Sequence, residues 1–314
     1  MNDFLFSLNS TIPIFFVIFI GWFLRQRGML NDGFLSAGNK FVFSIALPAL
    51  LFRDISGADI QNVFDLKYVL YCMIVTSLMF WGIWLFTELF MKDKSMIGAF
   101  VQASFRGSAA ILGIAFIENI YGHSTVGPLM IVASVPLYNI YSVLVLTMRG
   151  NGNGNENGSI KTAIINILKN PIILGIFAGL PFSFLHVDFP NVIDKCINNL
   201  AVTATPLGLL LVGAGFEGRK ALAKIKPTMV ATMIKLFVLP VLFLPIAMYL
   251  GFHGESMIAI LIMLGSPTTV SCYIMAKNMG NDAVLTSSII VMATLLSSVS
   301  LTFWVFVLRT TGFI

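Results

Sequence analysis

Residues 265–273 read GSPTTVSCY and place polar groups inside a long apolar run. Pro267 removes one backbone donor and clashes with the turn before it, so a helix should break here. The backbone N–H groups freed at a helix start, together with nearby hydroxyls, form a site that suits an anion. The candidate binding residues of this stretch are Ser266, Pro267, Thr268, Thr269 and Ser271.

A second stretch, RGSAAILG at residues 106–113, is weak in the same way and carries a cation. Gly107 and Gly113 each lower helix propensity by about 1 kcal/mol relative to alanine. Arg106 can hold a carboxylate through two parallel hydrogen bonds, and Ser108 adds a hydroxyl. The residue types therefore indicate recognition of a carboxylate.

We predict that Gly113 and Pro267 form the breaks in two discontinuous helices that face each other. Their half-helix N-termini, which carry partial positive charge, would then point at one small volume beside Arg106. Two alternatives stay open. In the first, Pro267 only kinks a helix whose neighbours satisfy the backbone again. In the second, Arg106 pairs with Glu118 or with backbone carbonyls.

The elements that must position these residues are typical of a membrane protein. Of the 314 residues, 57% are hydrophobic and 11% are charged, whereas soluble domains carry roughly 25% charged residues. A span needs about 20 apolar residues, and lipid leaves helices as the structure for spans of this length. We predict an all-α polytopic protein with ten transmembrane helices, numbered spans 1–10. They run near residues 11–24, 35–52, 68–90, 96–118, 126–147, 163–184, 197–214, 228–250, 256–277 and 284–308.

Two further polar residues inside these spans are candidates for the site. A charge near the bilayer centre costs about 2.5–3.5 kcal/mol, so Lys235 in span 8 should face a cavity or a partner. Its stem could instead carry the ammonium to the cytoplasmic boundary. Asn139 in span 5 either lines the cavity or holds helices together.

The residues for several other functions are missing from the sequence. The three cysteines have no paired spacing, which predicts neither a disulfide framework nor a metal site. An HExxH motif and paired membrane aspartates are also absent, so we expect no enzyme and no cofactor. The carboxylates that would mark a sodium or proton site at the midplane are lacking. A cation-coupled carrier and a non-transporting sensor nevertheless remain alternatives.

The distribution of Lys and Arg predicts the orientation. Twelve of these residues lie in the joints after odd-numbered spans, and four lie in the other joints or at the C-terminal end. Cytoplasmic joints carry the excess of positive charge, which places both termini outside the cell membrane. The net charge of +5 follows from this topology and does not indicate a nucleic-acid partner.

The two halves of the sequence match at a shift of 158 residues. Chance alignment of apolar helices is the alternative to a true repeat. A repeat of five spans must enter the membrane upside down in its second copy, as in many secondary transporters, whose site lies at the repeat interface. We predict a first repeat at 1–150, a polar linker at 151–160 and a second, inverted repeat at 161–314. The matched pairs are Pro13 with Pro171, Gly21 with Gly179, Pro48 with Pro206, Gly57 with Gly215 and Gly122 with Gly280.

Five runs carry a family resemblance: NKFVFSIALPALLF (39–52), FRGSAAILGIAFIENIYG (105–122), VPLYNIYSV (135–143), NPIILGIFAGL (170–180) and SPTTVSCYIMAKNMGND (266–282). They resemble the auxin efflux carrier family, in particular its bacterial malate and malonate permeases, over nearly the whole chain. The resemblance implies inverted repeats with spans 4 and 9 crossing at the site. It further implies a transport domain of spans 3–5 and 8–10 that moves against a scaffold of spans 1, 2, 6 and 7, in a homodimer.

The chain departs from the family pattern at two places in span 4. Ser108 stands where members often have Asn, and Gly113-Ile114-Ala115 stands where they have Gly-x-Pro, so Gly113 alone would weaken the helix. Together these observations predict a secondary transporter of a small organic anion. The expected substrate is a mono- or dicarboxylate such as malate, carried by elevator-type alternating access.

Overall fold

The structure is a computed structural model that describes residues 2–58, 64–109, 116–118, 120–122, 124–149, 160–185 and 189–314. These ranges contain helices and no β-strand, and a single isolated bridge joins Gly107 to Thr268. The expected all-α membrane class is therefore confirmed. Of the predicted linker, residues 151–159 lie outside the described residues, and Ile160 already begins the next helix.

Sixteen α-helices have defined bounds within the described ranges, together with a short 3₁₀ turn at Lys94–Met96 and two π-helical turns at Val42–Ala46 and Ile234–Val238. The helices, in chain order, are α1 Asn2–Gln26, α2 Asp32–Phe41, α3 Leu47–Ser56, α4 Leu66–Phe90, α5 Ile97–Phe105, α6 Gly127–Arg149, α7 Ile160–Lys169, α8 Pro171–Leu185, α9 Asn191–Ala201, α10 Ala204–Ala214, α11 Gly218–Ala223, α12 Ile225–Met233, α13 Leu239–Tyr249, α14 Gly254–Gly265, α15 Ser271–Asn278 and α16 Ala283–Thr310.

Six helical stretches of the described chain are long and apolar enough to cross a membrane, and a bent helix pair raises that number to seven. The ten spans predicted from the sequence stay a prediction. At predicted spans 4 and 9 the difference has a physical source, because a span interrupted near its middle leaves two short helices. The six stretches are Asp32–Ser56, Leu66–Phe90, Gly127–Arg149, Asn191–Ala214, Ile225–Tyr249 and Ala283–Thr310.

The bent pair lies at predicted span 6, which the sequence predicts as one helix over 163–184. Helices α7 and α8 meet at an angle of 61° instead. Asn170 stands at the corner, and its side-chain oxygen accepts a hydrogen bond from the backbone of Ile172 at 3.0 Å. An Asn cap followed by Pro171 at the first helical position is a strong signal for a new helix start.

The π-helical turn at Ile234–Val238 precedes Pro240 and carries Lys235. Proline has no N–H to donate to the carbonyl of Leu236 one turn earlier. The indole nitrogen of Trp304 donates to this carbonyl at 2.9 Å. The carbonyl oxygen therefore has a hydrogen-bond partner although it is buried away from water. The π-helical turn widens the helix locally and so accommodates the missing backbone hydrogen bond. Such π-bulges often occur at functional positions.

Glycines set the closest helix approaches in the predicted scaffold. A Cβ atom at Gly213 of α10 would collide with the backbone carbonyl of Ile18 in α1, and one at Gly21 would meet the backbone of Leu210. In a second close pair, formed by α3 and α8, a Cβ at Gly179 of α8 would lie 2.9 Å from a carbonyl oxygen of α3. Small residues let membrane helices pack backbone to backbone. The repeat pairing of Gly21 with Gly179 stays a prediction, and both glycines serve such a contact.

Substitution of Gly213 tests this packing. Gly213→Ala should destabilise the protein by about 1–3 kcal/mol, because the added methyl group has no space without moving α1. Thermal unfolding of the purified protein in detergent measures the change. Gly82→Ala is the matched control, since a Cβ there meets no atom within 4 Å. Equal unfolding temperatures for the two variants would show that α1 and α10 do not pack as described.

Candidate functional site

The interruption in span 9 covers residues 266–270, between α14 and α15. Ser266 leaves the helix with φ −68° and ψ 153°. A residue that precedes proline is pushed out of the α region, and Pro267 itself cannot donate to the preceding turn. The chain becomes helical again at Ser271. The sequence motif therefore produces a break and not a simple kink.

The interruption in span 4 lies at residues 106–108, where Arg106 leaves α5 with φ −88° and ψ 118°. The sequence predicts a break at Gly113, which lies outside the described residues, and that break therefore stays a prediction; the interruption at residues 106–108 is an additional finding. The physical reason is a contact between distant parts of the chain. Gly107 lies so close to Ser266 that a Cβ would collide with its hydroxyl oxygen, and the same Cβ would come within 2.9 Å of Lys235 Nζ.

The two interruptions cross and satisfy each other's backbone. Gly107 forms an antiparallel bridge with Thr268, and the N–H of Ser108 donates to the carbonyl of Pro267 at 2.9 Å. The hydroxyl of Thr268 donates to the carbonyl of Ala103 at 2.7 Å. Backbone groups that leave a helix inside a bilayer need such partners, because no water replaces them.

Lys235 binds the ends of both interrupted helices. Its side chain is fully buried, and its ammonium donates to the carbonyls of Phe105 at 3.3 Å, Met263 at 3.1 Å and Leu264 at 2.7 Å. An ammonium has three donors, and all three are used. These carbonyls form the C-terminal ends of α5 and α14, where the helix dipoles place partial negative charge. The structure therefore gives Lys235 a bracing role at the crossing, and Lys235 is not among the residues that line the cavity described below.

Arg106 lies on the other side of the crossing and is 4% exposed. Its Nη1 donates to the thioether of Met275 at 3.0 Å and to the hydroxyl of Ser142 at 3.4 Å. Among the described residues it forms no ion pair, with Glu118 or any other carboxylate. Sulfur and a hydroxyl are weak partners for a guanidinium, whose strong ligands are carboxylates and phosphates.

A cavity of about 50 Å³ opens beside Arg106. The crossing together with α6 of predicted span 5 forms one wall, and helices of predicted spans 2, 6 and 7 form the other. The N-terminus of α15 lies on the first wall, so its dipole adds partial positive charge next to the guanidinium. The polar lining residues are Asp54, Arg106, Ser108, Tyr138, Thr205, Thr269 and Ser271, and the apolar ones include Leu47, Leu50, Leu51, Val135, Ile172 and Ile274.

The structure brings four of the predicted site residues together on this cavity: Arg106, Ser108, Thr269 and Ser271. The hydroxyls of Ser271 and Thr269 lie 3.4 Å apart. Of the other candidates, Thr268 and Pro267 build the crossing itself, as does Ser266 through its contact with Gly107. These three do not line the cavity.

Asn139 is fully buried and is also not a lining residue. Its side-chain nitrogen donates to the carbonyl of Val135 in its own helix at 2.9 Å, and its side-chain oxygen has no hydrogen-bond partner among the described residues. The hydrogen bond seen at Asn139 thus stays within one helix. Neither predicted role, cavity lining or a bond between helices, is what the structure shows for this residue.

Sequence reasoning missed the contribution of span 2, above all that of Asp54. This carboxylate looks peripheral in the sequence because it stands close to the end of its span. A usable signal was present in the spacing, since lining positions 47, 50, 51 and 54 follow the stripe of one helix face. This stripe places the carboxylate on the same wall as the apolar lining residues of α3.

Residues 6–305 match the family model described as membrane transport protein. The uncharacterized transporter YfdV of Escherichia coli is 25% identical over 87% of this chain and 88% of its own length. An uncharacterized transporter of Methanothermobacter thermautotrophicus is 22% identical over 97% and 99%, respectively. A protein of Rhizobium meliloti named "Putative malonate transporter" is 24% identical over 95% of this chain and 94% of its own length.

Replacement of Lys235 tests its bracing role. Lys235→Met should lower the stability by about 1–3 kcal/mol, because it leaves buried helix-end carbonyls without a partner. Thermal unfolding in detergent gives the measurement. Lys220→Met is the control, since Lys220 is exposed and its ion pair with Glu217 is worth about 0–1 kcal/mol. A Lys235→Met protein as stable as the wild type would contradict the brace.

Proposed function

We propose that this chain, which belongs to the membrane transport protein family, is a secondary transporter of a small organic anion. The match also confirms the resemblance to the auxin efflux carrier family. The observation that carries the proposal is Arg106, a buried guanidinium with only a thioether and a hydroxyl as partners among the described residues, on the wall of a cavity. A buried cation without a counterion is costly, and a bound carboxylate would supply the missing charge.

The positions of the helix ends support an anion over a cation in this cavity. The C-terminal carbonyls of α5 and α14 are already occupied by Lys235, so they are not available to a metal cation. The cavity instead receives the guanidinium of Arg106 and the N-terminus of α15. Half-helix N-termini that point at anionic groups are a recurrent feature of transporter sites.

We propose that transport proceeds by alternating access of the elevator type. In support, the cavity lies between two groups of helices. One wall comes from predicted spans 4, 5 and 9, which belong to the expected transport domain, and the other comes from spans 2, 6 and 7 of the expected scaffold. A cavity between two such groups can change its access when one group slides against the other. The cell membrane, the external termini and a homodimer are parts of the same proposal.

The proposed substrate is a mono- or dicarboxylate such as malate. The chemistry of the site supports a carboxylate, because Arg106 offers a planar pair of donors and Ser108, Thr269 and Ser271 surround it with hydroxyls. The relative named for malonate is in keeping with this substrate class.

Arg106→Ala should reduce carboxylate uptake at least about tenfold, because a charge-assisted hydrogen-bond pair contributes about 1.5–3 kcal/mol. The measurement is accumulation of radiolabelled malate or malonate by proteoliposomes. The control is Arg219→Ala, which removes an exposed arginine of α11. Full uptake by a folded Arg106→Ala protein would remove Arg106 from the site.

The same assay separates the other two predicted functions. A cation-coupled carrier would accumulate the anion only with a sodium or pH gradient across the vesicle membrane. A sensor would bind the anion and show no flux. Because Lys235 occupies the carbonyls of the crossing, we expect uptake that does not require a sodium gradient.

A further inference from the structure

Asp54 lines the same cavity as Arg106 and belongs to the other group of helices. It lies in the last turn of α3 and its side chain is 15% exposed. The cavity wall on this side is otherwise apolar along the same helix face, with Leu47, Leu50 and Leu51. A carboxylate in an anion site needs an explanation, because like charges repel strongly where water is scarce.

The hydrogen bonds of Asp54 leave one of its oxygens for a ligand. Arg53 donates twice to Oδ1 of Asp54, from Nε at 3.1 Å and from Nη2 at 2.8 Å. Arg53 is itself held by Asn198, whose side-chain oxygen accepts from Nη1 at 2.9 Å. Within the described part of the chain, Oδ2 of Asp54 accepts no hydrogen bond. The carboxylate is thus fixed on one side and open on the other.

Arg106, Asp54 and its ion-pair partner Arg53 together carry one net positive charge. The nearby cation Lys235 is not a lining residue, and its three donors go to backbone carbonyls. Arg106 and Asp54 are the ionised side chains of the lining, and Arg53 compensates Asp54 from outside the lining. One negative charge on the ligand therefore neutralises the site. A second negative charge would face Asp54 and would be buried without a partner, which is strongly unfavourable.

From this geometry we propose that the transported species is a monoanion whose far end donates a hydrogen bond to Asp54. This inference rests on the proposed function and narrows its substrate class. A carboxylate group binds at Arg106 and the N-terminus of α15, and a hydroxyl at the other end reaches Oδ2 of Asp54. A dicarboxylate enters only as its singly protonated form, in which the carboxylic acid is the donor. The small volume of the cavity suits a ligand of a few non-hydrogen atoms.

The wild-type protein in proteoliposomes tests the inference with three probes. 3-Hydroxypropanoate and butanoate have nearly the same size, and only the first has a donor at its far end. Malonate, at a pH where it is a dianion, adds the second charge. We expect uptake of 3-hydroxypropanoate to exceed that of each of the other two at least about tenfold, the value of a hydrogen bond to a charged group. Equal uptake of 3-hydroxypropanoate and butanoate would overturn the inference.

Asp54→Asn should reverse the preference between charges. The amide removes the negative charge and offers a donor, so the ratio of malonate to 3-hydroxypropanoate uptake should rise at least about tenfold. A merely structural role of Asp54 would lower both rates and leave the ratio unchanged, and that result would also overturn the inference. Asp32→Asn is the matched control, because Asp32 begins the helical stretch Asp32–Ser56 that also contains Asp54, and its side chain is 91% exposed.

The outcomes distinguish this inference from the proposed function. If uptake of the carboxylates depends on Arg106 but is equal for ligands with and without a donor at the far end, the inference is overturned and the proposed function stands. If the wild-type protein takes up none of the three probes, the proposed function fails and the inference fails with it. Should Asp54→Asn not fold, the three probes on the wild-type protein decide by themselves.

Discussion

The ammonium of Lys235 at the crossing is the interaction on which the rest of the site depends. Helices α5 and α14 end at the crossing, and without Lys235 the buried carbonyls of Phe105 and Leu264, which carry partial negative charge, would lose this donor. One buried cation satisfies three such carbonyls, two from α14 and one from α5. The mutual backbone contacts of the interruptions, such as Ser108 with Pro267, complete the arrangement. Together these bonds satisfy the backbone of non-helical segments that are buried in the protein, where water supplies no partner.

The position of this ammonium also gives the crossing two chemically different sides. The C-termini of α5 and α14 lie around Lys235, so the ammonium compensates their partial negative charge within the crossing. Arg106 and the N-terminus of α15 are left to the cavity, which lies between the crossing and the helices of spans 2, 6 and 7. We propose that a site with this polarity binds an anion, and that access to it changes when the two helix groups slide against each other. In our proposal, Asp54 limits how much negative charge the cavity accepts.

The sequence predicted those parts of the site that depend on local backbone chemistry. Pro267 removes a donor and clashes with the preceding turn, so the interruption of span 9 was readable. The position of the break at residues 106–108 was not readable, because Gly107 has no proline nearby. Gly107 leaves the helix because of its close contacts with Ser266 and Lys235, both more than a hundred residues away. Lys235 was recognised as a buried charge, but its partners are backbone carbonyls, which leave no mark in a sequence. Asp54 stands close to the end of span 2 in the sequence, and only the three-dimensional position of α3 shows that it lines the cavity.

A structure of the protein with a bound small carboxylate, determined experimentally in a lipid environment, tests the central claim most directly. The account predicts the carboxylate between the guanidinium of Arg106 and the first turn of α15, with Lys235 still on the carbonyls of α5 and α14. A carboxylate bound at Lys235, or spans 4 and 9 seen as continuous helices that do not cross, would contradict it.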